Sequence, residues 1–185
     1  MTVEDPLGLI DAADASWLEG RLLAALGVMG VAGEARARLV DDERMSAEHE
    51  RTLDDPSTTD VLTFDLSSGD LSSGGGVLDV DLLLCVDEAR RQAATRAHGP
   101  REELLLYAVH GCLHCLGFDD ASDRAAAAMH TREDEVLRAI GIGAVFDAAE
   151  PPVAGGSREP GLGDAPTLDG VGGVGDVGDV GGVRP

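Results

Sequence analysis

The spacing of apolar residues changes period several times along the chain, and each change marks an element. From about Ala13 to Gly30, Trp17, Leu18, Leu22, Leu23 and Leu26 recur at helical spacing, which predicts an amphipathic helix ending at a glycine. Arg36 to Val40 alternates basic and apolar residues and predicts a short strand, and Ser46 to Leu53 predicts a short helix. Asp60 to Leu66, DVLTFDL, alternates with branched and aromatic residues, as a half-buried strand does. The stretch SSGDLSSGGG that follows reads as a loop. Val77 to Val86, VLDVDLLLCV, predicts a second strand, and Asp87 to Ala97 a helix.

The next segment differs from all of these. Pro100 suits a first helical position, and Glu102 and Glu103 suit a helix N-terminus. Leu104 through Leu116 is apolar nearly all round, which predicts a helix buried on most sides, with Gly117 as its stop. A last helix runs from Ser122 as cap to Gly141, with Met129, Val136, Leu137 and Ile140 inward. The layout is α+β: a small sheet covered by helices, with one helix at the centre.

From Pro151 to Pro185 the composition shifts to eleven Gly and five Pro, with Val171, Val174, Val177, Val180 and Val183 three residues apart. This predicts a flexible tail, and a folded domain over residues 1–150. Acids outnumber bases 35 to 14 in the 185 residues, for a net charge of −21, and every base is an arginine. Removing the tail's five acids and two arginines leaves about −18 on the domain. So acidic a surface argues against non-specific binding to nucleic acid or anionic lipid, so an RNA partner requires a local arginine patch or a helper protein. No apolar run approaches the ~18 residues of a membrane span, and the acidic N-terminus does not read as a secretory signal. Three cysteines, an odd number, suggest a reducing cytoplasm.

The central helix carries His110 and His114, which a four-residue spacing puts on one face, one turn apart. Gly117 lets the chain swing back, and Asp120 arrives ten residues after His110. Two imidazoles and a carboxylate make a three-ligand set with a fourth position open, the arrangement of catalytic zinc. Burying two imidazoles in an apolar helix costs free energy unless something pairs with them. Asp119 either bonds a ligand imidazole or caps the turn. Cys112 points about 200° around the helix from His110 and so faces away from a metal there. With Cys115 it forms C-x-x-C, readable as a redox pair, a second zinc site or two small buried hydrophobes. His49, His98 and His130 read as surface residues. Arg36, Arg38, Arg44 and Arg51 either line an RNA groove or offset neighbouring acids.

The run His110-Gly111-Cys112-Leu113-His114-Cys115-Leu116-Gly117-Phe118-Asp119-Asp120 resembles the H-G-x-L-H-x-x-G-[YF]-D-H signature of the YbeY family of bacterial endoribonucleases and rRNA maturation factors. Thr59 to Phe64, TDVLTF, resembles the family's T-D-V-L-S-F strand, and the likeness runs from about Ala35 to Gly141. The resemblance implies a small mixed sheet around a metal-binding helix. It implies a cytoplasmic endoribonuclease that matures the 3′ end of small-subunit rRNA and serves ribosome quality control, with one Zn2+ per chain. Its partners would be the small ribosomal subunit and a ribosomal or assembly protein. His110 and His114 match two of the family's three histidine ligands, and Asp120 stands where the third would be, a carboxylate that zinc also accepts. The family has a functional arginine ahead of the T-D-V-L strand; Arg51 is the nearest match here, across a longer intervening segment.

Gly111 separates mechanisms, because zinc proteases of the H-E-x-x-H type need a glutamate there as general base. Two other readings stand beside the nuclease: a non-catalytic ribosome-assembly factor with a structural metal, and a metal-dependent hydrolase acting on another substrate. The tail's composition buries too little apolar surface to offset its ordering. Truncation after Glu150 should therefore leave the melting temperature and metal content nearly unchanged, and a large fall in melting temperature would show that the tail packs on the domain.

Overall fold

The computed structural model describes residues 1–69, 71 and 76–145. The domain end expected at Glu150, the tail expected over 151–185 and the centre of the SSGDLSSGGG loop lie outside the described residues. In chain order the elements are β1 (Thr2–Glu4), α1 (Ala12–Met29), β2 (Gly33–Val40), α2 (Asp42–Leu53), β3 (Val61–Asp65), β4 (Leu78–Cys85), α3 (Val86–Ala93), α4 (Pro100–Cys115) and α5 (Asp123–Ala139).

The strands form one mixed sheet in the order β1-β2-β4-β3. β1, β2 and β4 run parallel, and β3 pairs antiparallel with β4, with Thr63 opposite Leu82 and Phe64 opposite Asp81. Alternation divides the sheet into two faces. Ala35, Ala37 and Leu39 of β2 and Val80, Leu82 and Leu84 of β4 are almost wholly buried against the helices. The other face carries Arg36, which forks onto Asp79 and Asp81, both at 2.5 Å, with Arg36 and Asp81 directly opposite in register. These groups are about a third to a half exposed, so they contribute little to stability.

α4 lies at the centre, touching α1, α3, α5, β3 and β4. Leu104, Leu105, Ala108, Val109, Cys112 and Leu113 are each fully buried. Each buried leucine stabilises the fold by roughly 1.5–3 kcal/mol. That explains why this helix is apolar all round while α1 and α5 carry one apolar stripe each. The three cysteines are free, with Cys112 buried and Cys115 partly so, as small hydrophobes.

The structure departs from the sequence reading in local ways. β1 was not anticipated: three residues have no readable period, and the strand forms by pairing beside β2. α2 starts at Asp42, earlier than Ser46, because Asp41 caps it, accepting a hydrogen bond from the Arg44 backbone at 3.0 Å. Leu23 is 61% exposed: neighbours on a helix lie 100° apart, and Leu22 takes the inward position.

Gly111 is required by packing. A β-carbon there would lie 2.6 Å from Thr63 Oγ1 and 2.7 Å from Leu82 Cδ2, so the missing side chain lets α4 rest directly on β3 and β4. In an isolated helix Gly→Ala gains about 1 kcal/mol, whereas overpacking a filled core costs about 1–3 kcal/mol. Gly111→Ala should therefore lower the melting temperature by a few degrees. A rise, as helix propensity alone dictates, would show that the contact is slack.

Candidate metal centre

α4 presents His110 and His114 one turn apart, their rings nearly perpendicular with centroids 4.6 Å apart. Gly117 takes a left-handed φ of 89°, while its backbone N–H and that of Phe118 donate to the carbonyls of His114 and Leu113, closing the helix. The returning chain brings Asp120 over the pair. His110 Nε2 lies 3.0 Å from His114 Nε2, and Asp120 Oδ2 lies 3.7 Å from the first and 4.0 Å from the second. Ligand atoms about 2.0–2.1 Å from a tetrahedral Zn2+ stand about 3.3–3.4 Å from one another. The observed separations bracket that value, so small adjustments fit the three donors to one ion. Among the described residues this is the group of histidine, cysteine and acidic side chains that converges in this way.

The far side of each ring is held. His114 Nδ1 bonds the Phe118 carbonyl at 3.1 Å, and His110 Nδ1 bonds Glu133 Oε1 of α5 at 2.7 Å. With Nδ1–H as donor in both rings, both Nε2 lone pairs point toward Asp120. Burial pushes the His110 pKa down, but the hydrogen bond and charge of Glu133, with Asp60 and Asp120 behind them, outweigh it and hold it above the ordinary histidine range. Glu133 is 1% exposed, and its Oε2 has no hydrogen-bond partner among the described residues. Sequence reasoning missed Glu133. The available signal was its position, an acid on the inward stripe of Met129, Val136, Leu137 and Ile140. Asp119 turns out to cap the turn, accepting from the Asp120 and Ala121 backbones at 2.8 and 3.2 Å.

A cavity of about 440 Å3 opens beside His110, lined in part by Thr59, Asp60, Glu103, Tyr107 and Glu133. Asp60 belongs to the TDVLTF run, so β3 brings that motif to the metal helix. Glu103, fully buried, is held by Arg96 Nη1 at 2.8 Å and by His98 Nε2. His98, expected at the surface, is therefore drawn inward, with its side chain only 16% exposed. Burial among Glu103, Asp60 and Glu88 pushes the Tyr107 hydroxyl far above the ordinary tyrosine range, so it stays protonated.

Arg51 does not line this cavity. Its side chain turns onto Glu48 on the exposed side of α2 and borders a separate groove of about 540 Å3. Arg36, Arg38 and Arg44 border the same groove, with Phe64 in its wall. The sheet's polar face thus gathers the four arginines that the sequence singled out, although Arg36, Arg38 and Arg51 each contact at least one carboxylate.

No helix among the described residues is long and apolar enough to cross a membrane. A family model described as Endoribonuclease YbeY matches residues 17–141. A Beutenbergia cavernae protein named Endoribonuclease YbeY is 43% identical over 117 residues, which cover 60% of this chain and 77% of that protein. Another of the same name, from Macrococcus caseolyticus, is 32% identical over 139 residues, covering 72% and 90%. The solution structure of TM1509 from Thermotoga maritima has the same fold, with a TM-score of 0.53 at 18% identity over 75% of this chain and 87% of that one. With the match extending from α1 through α5 and including His110, His114 and Asp120, the chain belongs to the YbeY endoribonuclease family.

Proposed function

We propose that this chain is a metal-dependent endoribonuclease that acts in the cytoplasm on the 3′ end of small-subunit rRNA, using one Zn2+ held by His110, His114 and Asp120. The convergence of these three donors on one point, in a chain of this family, carries the reading. A divalent ion held there would polarise a phosphoryl oxygen and make water a better nucleophile. The chain's own residues supply the rest. Phe118 and Glu133 orient the two imidazoles. The RNA would lie in the cavity beside His110, next to the ion. Arg51, with Arg36, Arg38 and Arg44, would steady phosphates along the other groove rather than at the reacting bond. The folded unit is taken as residues 1–150, with 151–185 as an appended tail.

A charge of −21 favours a second reading, in which the metal is structural and the chain docks on a ribosomal or assembly protein. Peptide hydrolysis is disfavoured, because position 111 packs against Thr63 and offers no carboxylate. RNA cleavage by wild type, lost in both His114→Ala and metal-stripped protein and restored by added Zn2+, supports the nuclease. Equal cleavage in all samples would mark a contaminant and leave the docking reading. Deleting the gene should lengthen the 3′ ends of small-subunit rRNA, and unchanged ends would remove that substrate.

Two substitutions test the assignments. Asp120→Ala should weaken Zn2+ binding more than ~100-fold, because a ligand is lost and not only its support. Asp119→Ala should cost less than ~10-fold, because Asp119 holds backbone alone, and Asp120→His should still bind. Tight binding by Asp120→Ala with loss in Asp119→Ala would reverse the assignment. Arg51→Ala should weaken RNA cleavage with metal content and fold intact, and Arg51→Lys should recover only part of it. Equal activity in all three proteins would take Arg51 out of the RNA path.

A further inference from the structure

We infer that Glu133 is a positioning residue for the metal centre, acting through His110 to set both the direction of its Nε2 lone pair and the strength of its hold on the ion. The inference rests on the metal reading above and extends it to a side chain 23 residues away on another helix.

The geometry makes Glu133 more than a packing residue. It projects from α5 into the space beside α4, with its carboxylate 1% exposed. One oxygen meets His110 Nδ1 at 2.7 Å, and the other has no hydrogen-bond partner among the described residues. A carboxylate buried with half its hydrogen-bonding capacity unused costs several kcal/mol unless an opposite charge is near. The group that faces it is an imidazole. A cation on the opposite ring nitrogen supplies the missing charge, transmitted through the ring. The carboxylate in turn draws on Nδ1–H, makes Nε2 more basic and locks the ring's rotation.

His114 provides an internal contrast. Its Nδ1 bonds a neutral carbonyl, that of Phe118, from its own chain turn. That contact fixes orientation without adding charge. The two imidazoles are thus unequal: His110 is backed by a carboxylate, while His114 is held by the turn that also delivers Asp120. A burial argument separates Glu133 from its neighbour. Asp134 is equally buried, but its carboxylate holds the Val145 backbone at 2.7 Å and Arg138 at 3.4 Å, a local structural role.

The test measures Zn2+ affinity by competition with a chromophoric chelator, using the full chain stripped of metal and reloaded. Glu133→Gln keeps shape and an acceptor oxygen but removes the charge; Glu133→Ala removes both. We expect affinity to fall about 10-fold in the first and toward about 100-fold in the second. The Co2+-substituted Glu133→Gln protein should keep a visible spectrum of unchanged shape, because the three ligands remain. Metal-free Glu133→Gln should keep a cooperative melt, because its amide oxygen can still accept from His110 Nδ1–H, so that a loss of Zn2+ affinity is not a loss of fold. Unchanged or tighter Zn2+ binding in Glu133→Gln, with loss only of metal-free stability, would overturn the inference and make Glu133 a structural partner of His110. If wild type takes up no Zn2+, the metal reading fails and this inference with it.

Discussion

Two imidazoles on a helix that is otherwise buried in hydrocarbon are the constraint on which the rest of the structure depends. α4 is apolar because five elements pack on it, and a polar group buried there costs free energy unless it finds a partner. Three of its polar side chains are answered from different directions, while the Tyr107 hydroxyl has no hydrogen-bond partner among the described residues. Glu103 at the start of the helix is met by Arg96 and His98. His110 is met from α5 by Glu133, and His114 by the carbonyl of the turn that ends its own helix. Toward the end of the helix, two Nε2 atoms and one Asp120 oxygen face one another. Three ligand-type atoms gathered at a partly exposed point are an arrangement that a cation could join.

Packing and chemistry are joined at Gly111. The absence of a side chain there lets β3 lie directly on the metal helix, which brings Asp60 and Thr59 to the cavity beside His110. The same absence removes the carboxylate that a peptidase of related helix pattern would use. A single position thus closes the core and carries the strand motif to the site. Charge is divided just as sharply. The buried face of the sheet is aliphatic, while its other face gathers arginines against an acidic background.

Much of this was legible in the residues alone. The α+β layout followed from period: the strands alternate because one face is wet, and α4 lacks a polar stripe because it is buried on most sides. His110, His114 and Asp120 were legible because helix pitch and one glycine fix their spacing. Glu133 was not, because its partner is 23 residues away and only the packing of α5 on α4 brings them together. His98 was misplaced for a similar reason, since a histidine in a polar connection carries no mark of a buried carboxylate five residues on. For Arg51, proximity in sequence did not fix where its side chain turns. Helix α2 turns it onto Glu48, away from the cavity at His110. β1 was invisible because three residues form a strand only when a neighbour supplies the ladder.

The central claim is that one ion is held by two imidazoles and a carboxylate, with the cysteines of the same helix taking no part. X-ray absorption at the zinc edge of the Zn2+-loaded chain reads this directly. The account predicts a first shell of nitrogen and oxygen only, at about 2.0–2.1 Å, with the outer-shell pattern of two imidazoles. A scatterer at about 2.3 Å would place Cys112 or Cys115 on the metal, and an outer shell of three imidazoles would displace Asp120; either would contradict the account.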